Sequence, residues 1–312
     1  MSKVLRQSFL YKNIRGQLAA SFLQHNEKKI SMIDKIYIPT ACRVDKQITY
    51  NNLPKELQDK VVFVVQEWER DQYTLDAEYL VLPPEITLTS KNALSRTRKI
   101  IYETAKDTRY AMLDDDMHFQ RRNSKYWNGV SNMEKSCQKC TDDDIIEMFE
   151  LFDSWLDQGF TFCGPAQKNN PPTGNLYQDN CSMSGFYVFN GYDWKDIIDD
   201  LKVDQVRVAE DVLLIIGLLN RGYSNRTSQE FIQSNQSYAS KSEKSVLWDE
   251  TEVAEVNENH IFINSMYPKY FKILRDENGD RIPGGFRDVG KTKISWSQAY
   301  KDSQLNSLSE FF

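Results

Sequence analysis

The stretch Arg109-Tyr110-Ala111-Met112-Leu113-Asp114-Asp115-Asp116-Met117-His118-Phe119 constrains the fold more than any other. A short apolar run stops abruptly at three carboxylates. Such a run reads as a strand buried on both faces, the pattern of parallel sheets covered by helices. Its carboxylates then sit at the C-terminal edge, where open α/β sheets bind ligands. In extended backbone side chains alternate, which predicts Asp114 and Asp116 on one side and Asp115 on the other. Two carboxylates on one side repel unless a cation lies between them. Hard divalent cations such as Mg²⁺ or Mn²⁺ take oxygen ligands and share them with phosphates. The plainer alternative is an acidic turn after a strand.

Neighbouring segments extend the α/β pattern. Residues 33–39 read as a first strand closed by Pro39, and Thr40 and Arg43 follow where a nucleotide would bind. Residues 47–57 read as a helix broken at Pro54, and Val61-Val62-Phe63-Val64-Val65 as a second strand. Residues 79–82 give a third strand. Residues 89–106 read as a helix with Thr89, Ser90 and Asn92 available as caps. Arg96 and Arg98 in its first turns oppose the helix dipole, and a bound anion there would offset the conflict. They are therefore candidate diphosphate contacts. The alternative is surface pairing with Glu103 or Asp107.

After Phe119 a polar stretch containing Arg121, Arg122, Tyr126 and Trp127 reads as a long loop over the site. Cys137 and Cys140 have the spacing of half a zinc site, but no second pair lies nearby. Thr141 caps a helix over 145–156, and residues 160–165 and 181–190 read as strands, the latter with a glycine that allows close approach. Residues 209–223 form an apolar helix ended by Gly222, with Glu210 and Asp211 in its first turn. Those acids either complement the dipole or supply a general base on a rigid element. Residues 224–259 read as a polar loop and an outer helix, and Ile261-Phe262-Ile263 as a short strand or edge preceded by a lone His260. Residues 267–301 interleave basic side chains with Tyr267, Tyr270, Phe271, Phe286 and Trp296, a composition shared by nucleic-acid grooves and ordinary C-terminal caps. The basic N-terminal segment reads as an amphipathic helix, either a solvated face or a phosphate-contacting arm.

With 40% hydrophobic and 27% charged residues, the 312-residue chain is globular, and a net charge of -6 argues against broad coating of nucleic acid. Five scattered cysteines suit a reducing compartment. No apolar run approaches the roughly 20 residues of a membrane helix, and Met1-Ser2-Lys3 is followed by mixed polar residues rather than a signal peptide. The expectation is a soluble cytoplasmic protein.

Taken in order, residues 93–98, 112–116 and Glu210-Asp211 resemble the signatures of metal-dependent nucleotide-sugar glycosyltransferases of the GT-A fold. Ile38-Pro39-Thr40 with Arg43, Thr97-Arg98, the stretch 113–117 and Glu210-Asp211 are most similar to the TET-associated glycosyltransferase family, found in phages and associated with hydroxymethylated pyrimidines in DNA. The resemblance implies one GT-A-like domain over 1–312, with a mainly parallel central sheet flanked by helices, a core at about 33–225 and a C-terminal extension at 226–312. It implies a nucleoside-diphosphate sugar, UDP-linked, as donor, a sugar of glucose or arabinose type, Mn²⁺ or Mg²⁺, and DNA as acceptor inside the host cell. By the same resemblance Asp114 and Asp116 would hold the metal, completed by His260 or His118. Asp114, Thr40, Arg43, Arg96 and Arg98 would contact the nucleotide, and Asp211 or Glu210 would be the base. The alternatives are a saccharide, lipid or protein acceptor, or an inactive sugar-nucleotide or nucleic-acid binding module.

Overall fold

Strands β1 (Lys35–Pro39), β2 (Val61–Val65) and β4 (Arg109–Leu113) carry apolar side chains on both faces. Ile36, Ile38, Val61, Phe63, Val65, Ala111 and Leu113 enter one core layer. Tyr37, Val62, Val64, Tyr110 and Met112 enter the other. The two-residue period of a strand thus fills two layers from one apolar run, and each layer needs its own cover. On the first side lie α1 (Ile48–Asn52), α2 (Lys55–Gln58) and α4 (Asp142–Asp157). Covering the second are α3 (Ala93–Ala105) and α5 (Glu210–Leu219), joined by α6 (Glu252–Met266) and α7 (Trp296–Ser309).

This computed structural model describes residues 33–87, 90, 92–122, 137–170, 175–235, 252–283 and 290–309, all within the unit Ile33–Phe312. Among them one ten-stranded sheet dominates. With β3 (Glu78–Val81) at its edge, the order begins β3-β2-β1-β4, all parallel. It continues through β9 (Phe186–Asn190), β7 (Phe162–Gln167) and β10 (Asn225–Asn235) to β5 (Met117–Arg122) and β6 (Cys137–Lys139), while β8 (Tyr177–Asp179) pairs with β10. β9 is antiparallel to both β4 and β7, so β1 to β4, β7 and β10 all run one way. This mixed α/β architecture agrees with the GT-A-like expectation. A short hairpin of β11 (Phe271–Ile273) and β12 (Thr292–Ile294) stands apart from the main sheet.

Local signals explain several boundaries. Thr141 closes a full capping box with Asp144 at the start of α4. Beyond α5 the Gly222 N–H donates to the Leu219 carbonyl and the Tyr223 N–H to the Leu218 carbonyl, at 3.1 Å each, with Gly222 at φ 89°. That is a Schellman closure, and it needs the left-handed residue.

The structure corrects three expectations. The chain after Phe119 stays extended to Arg122 as β5, and only residues 123–136, with Tyr126 and Trp127, lie outside the described set. Residues 225–235 are not a loop but the eleven-residue β10, inside the sheet and across the boundary expected near 225. Polar side chains disguise it: Thr227, Ser228, Gln229 and Gln233 are all buried. Most of their polar atoms find partners, as when Gln233 donates to the Ser184 carbonyl at 2.7 Å. Ile261-Phe262-Ile263 is not a strand or edge: with His260 before it, it lies within α6. The N-terminal basic segment, Thr89 and Phe286 lie outside the described residues.

Gly191, after β9, packs its backbone on the turn between α3 and β4. A Cβ there would meet the carbonyl oxygens of Ala105, Thr108 and Lys106 at 2.7–2.9 Å. Backbone cannot step aside as a side chain can, so Gly191→Ala should destabilise by about 1–3 kcal/mol, read as a lower melting temperature.

Candidate active site

The three aspartates follow β4 in a tight turn that enters β5. Thr49, fully buried on α1, clamps this turn: its hydroxyl donates to the Asp114 carbonyl at 2.5 Å and accepts the Met117 N–H at 2.8 Å, and its N–H donates to the Asp115 carbonyl at 3.1 Å. Because the backbone turns, the simple alternation expected of a strand does not hold. Asp115 and Asp116 share Arg43, which is ion-paired with Asp115 and 3.5 Å from Asp116. Thr40 donates to Asp115 at 2.7 Å, and Asn235 at the end of β10 donates to Asp116 at 2.8 Å. Asp114 turns the other way, to Arg98 at 2.8 Å.

Arg98 is the link between the two acidic signals of the sequence. It leaves α3, pairs with Asp114 after β4, and pairs also with Glu210 in the first turn of α5. Only 6% of its side chain is exposed. Burial opposes its charge, but Glu210 and Asp114 outweigh that and hold the guanidinium ionised. An arginine expected at the helix N-terminus to meet a ligand anion thus meets two carboxylates of its own chain. Arg96, two residues earlier and half-buried, is not among the cavity-lining residues.

Asp211 stands beside this pair. Its Oδ1 accepts the Val212 N–H at 2.8 Å. Burial first, and then the Glu210 charge, push its carboxyl up to about 7. Burial likewise raises Asp115 to about 6, against the opposing pull of Arg43, and it raises Asp116, with Asp114 adding to the effect. Ala209, immediately before the pair, has φ 62°. Left-handed backbone is rare for a residue with a Cβ and marks strain held in place by its surroundings.

Arg98, Asp114, Glu210, Asp211, Asn235 and His260 all border one cavity of about 710 Å³, large enough for a nucleotide-sized ligand. Gly185 lets its floor close up: it has φ 71°, and a Cβ there would fall 2.9 Å from Asp114 Oδ2. Thr40, Arg43 and Asp116 lie behind the turn and do not line it. The far wall comes from the C-terminal segment, with Phe271, Thr292, Ile294 and Trp296. His118 lies on β5, 3.2 Å from Asn52 through Nδ1, and is not part of the cavity.

For a divalent cation the donor set is suitable in kind, since Asp114 and Asp116 offer only oxygen. Among the described residues no group of three His, Cys, Asp or Glu side chains is arranged to hold a metal ion. A cation held by these carboxylates would complete its shell with water and substrate phosphates, the usual arrangement for Mg²⁺.

The family model described as TET-Associated Glycosyltransferase matches residues 34–233. The chain belongs to that family. A search of curated proteins found no match. The matched stretch contains Thr40, Arg43, Arg98, the three aspartates, Glu210 and Asp211, and it ends before Asn235, His260 and the aromatic wall. Among the described residues, no helix of this family member is long and apolar enough to cross a membrane. Sequence reasoning missed Thr49 and Asn235. A small polar residue on a short helix and the last residue of an unrecognised strand carry no periodic signal.

If Ala209 is strained, Ala209→Gly should raise stability by about 1 kcal/mol, because relief of left-handed backbone exceeds glycine's entropic cost. Thermal or denaturant melting reads this, and a fall in stability would count against strain.

Proposed function

We propose that this glycosyltransferase moves a sugar from a nucleoside-diphosphate sugar, UDP-linked, to the hydroxymethyl group of a modified pyrimidine in DNA, with Mg²⁺ or Mn²⁺ assisting. The observation that supports it most is the carboxyl of Asp211, raised to about 7 at the edge of the 710 Å³ cavity and next to the Arg98-held pair of Asp114 and Glu210. A base works best when its pKa lies near the operating pH. The family match supports sugar transfer, and the hydroxymethylpyrimidine acceptor follows from the resemblance of the motifs.

In this reading Asp211 accepts the proton of the acceptor hydroxyl as that oxygen attacks the anomeric carbon. The bond from that carbon to the diphosphate oxygen breaks, and the nucleoside diphosphate leaves. A single displacement of this kind inverts the anomeric configuration. Arg98 fixes Asp114 and Glu210 and so keeps the turn and α5 in register. By the same assignment Asp114 and Asp116 would hold the cation and Thr40 and Arg43 would contact the nucleotide; of these four only Asp114 borders the cavity directly, and the others stand behind the turn. When bound, the cation neutralises charge on the departing diphosphate.

A net charge of -6 favours a second reading, with a saccharide, lipid or protein as acceptor. One local feature supports DNA. Lys272 and Lys293 stand directly opposite each other across β11 and β12, both exposed. Like charges in that position weaken a hairpin, and a phosphate would compensate them.

Transfer of radiolabelled sugar to hydroxymethylcytosine DNA, with a chelator control, tests the function. Asp211→Asn should lower kcat by about 10²–10⁴. Wild-type kcat/KM should rise with pH to about 7, as Asp211 loses its proton. The same raised value makes folded protein bind a proton that unfolded protein has released, so stability falls as pH rises from about 4 to 7. The stability advantage of Asp211→Asn over wild type should therefore grow across that window and then level off. A variant that loses activity and stability together would argue for a structural role. No sugar-nucleotide turnover at all would favour an inactive binding module.

Lys272→Glu creates an opposite-charge pair with Lys293. It should leave the hairpin as stable or more so, yet weaken DNA binding and flatten its salt dependence by about 0.9 in log–log slope for each phosphate no longer neutralised. An unchanged slope would remove the hairpin from the DNA interface.

A further inference from the structure

His260 lies beyond the family-matched stretch, on α6, and still reaches the cavity. Its residue is only 6% exposed, and its ring packs against Phe271 with centroids 5.6 Å apart. Nδ1 is buried and has no hydrogen-bond partner among the described residues. An unmet polar atom of this kind costs about 1–3 kcal/mol, so the arrangement asks for a reason. The resemblance would supply one by making His260 a metal ligand. A ligating histidine, however, binds metal through the lone pair of one nitrogen and almost always donates its other N–H to a carboxylate, carbonyl or water. Binding through Nε2 would place that second N–H on Nδ1, where no acceptor waits. An orphaned N–H is rarer in proteins than an under-used acceptor. The cheaper tautomer keeps the lone pair on buried Nδ1 and the proton on Nε2, on the edge of the ring left to face the cavity.

The surroundings indicate what that N–H meets. Phe271, Ile294 and Trp296 give the same wall a largely apolar, aromatic surface, and Thr292 adds one hydroxyl. Flat aromatic groups with a single aimed donor suit a planar heterocycle that presents a carbonyl or ring nitrogen. The carboxylates of Asp114, Glu210 and Asp211 lie on the matched part of the chain, so the C-terminal wall is the part left for the acceptor. Enzymes acting on a base in DNA take it out of the stack and read its polar edge between aromatic or apolar side chains.

We propose that His260 is a substrate-reading residue rather than a metal ligand: its Nε2–H donates to the polar edge of the acceptor pyrimidine, which enters the cavity against Phe271, Ile294 and Trp296. This rests on the DNA-acceptor reading given above. It also separates two parts of the chain by task, with sugar and diphosphate on the matched core and base recognition on the segment after it.

The test uses the full chain and a fluorescent single-stranded oligonucleotide with one hydroxymethylcytosine, compared with the same strand carrying an abasic site there. Anisotropy gives both dissociation constants for wild type, His260→Ala, His260→Gln and Trp296→Ala. In parallel, Mn²⁺ binding in the presence of UDP is titrated by electron paramagnetic resonance. Wild type should prefer the base-bearing strand about tenfold or more. His260→Ala and Trp296→Ala should abolish the preference, His260→Gln should keep most of it through its amide N–H, and Mn²⁺ affinity should be the same in all four proteins. A tenfold loss of Mn²⁺ affinity in His260→Ala with base preference intact would make it a metal ligand and overturn the proposal. So would a wild type that does not distinguish base from abasic site, or a His260→Ala variant unchanged in both measurements. If His260→Ala does not fold, retention of preference by Trp296→Ala, or its loss in a folded His260→Gln, overturns the proposal equally. Failure of the glycosyl-transfer reading looks different: wild type would not turn over the sugar nucleotide, whatever its preference for the base.

Discussion

Arg98 leaves α3 and ends between two carboxylates from distant parts of the chain, Asp114 after β4 and Glu210 on α5, with 6% of its side chain exposed. A buried guanidinium loses its hydration, and only close, well-aimed anions can make up the loss. Removing one member would leave an unpaired charge inside the protein, a change that typically costs about 3–5 kcal/mol. The pairing therefore fixes the geometry of three elements at once. It also divides the acids around the cavity. Asp114 and Glu210 share the arginine, while Asp211, one residue further on, has no ion pair among the described residues and holds its proton to about 7. A single ion-pair network thus produces both a rigid frame and a carboxyl suited to proton transfer.

Much of this frame was legible in the sequence, for definite reasons. β2 and β4 match their expected spans because a strand buried on both faces leaves an unbroken apolar run. The start of α4 and the end of α5 were readable because Thr141 and Gly222 have side-chain or backbone requirements that few residues meet. β10 was not readable, since most of its buried positions are polar, Asn225, Thr227, Ser228, Gln229 and Gln233, and only Phe231 and Ile232 are apolar. The Ile261-Phe262-Ile263 run imitates a strand on a helix whose apolar residues do not gather on one face. At the site the residues were identified but their partners were not. An arginine near a helix N-terminus suggests an absent anion, and nothing local tells that Glu210, 112 residues later, fills that position.

The boundary of the family match divides the cavity in an informative way. Strand ends, the aspartate turn and the start of α5 lie within residues 34–233, while α6 and the β11–β12 hairpin lie outside. The matched residues bring together carboxylates at strand and helix ends, held by buried Arg98 and half-buried Arg43. The remaining wall is aromatic and apolar apart from Asn235, His260 and Thr292. Chemistry common to a family belongs on the sheet edge, where backbone position is over-determined by pairing on both sides. An added segment can change without disturbing that edge, which suits the acceptor selection proposed for it.

Asp114, Asp115, Asp116, Glu210 and Asp211 are grouped with two paired guanidiniums, Arg43 and Arg98. Arg207 also borders the cavity but is ion-paired with Glu255 on α6. Burial is the main reason Asp115, Asp116 and Asp211 all hold protons more tightly than free carboxylates do, with repulsion from neighbouring carboxylates adding to it. Such a group opposes folding, as does the left-handed backbone at Ala209. A cation that binds only the folded site relieves the repulsion and stabilises the protein by RT ln(1 + [L]/Kd), in which L is the cation. A lone diphosphate would meet like charge there and be rejected. Cation and sugar nucleotide should therefore bind with positive cooperativity, each raising the affinity of the other by the same factor, because neither alone matches the charge that Asp114, Glu210 and Asp211 present to the cavity.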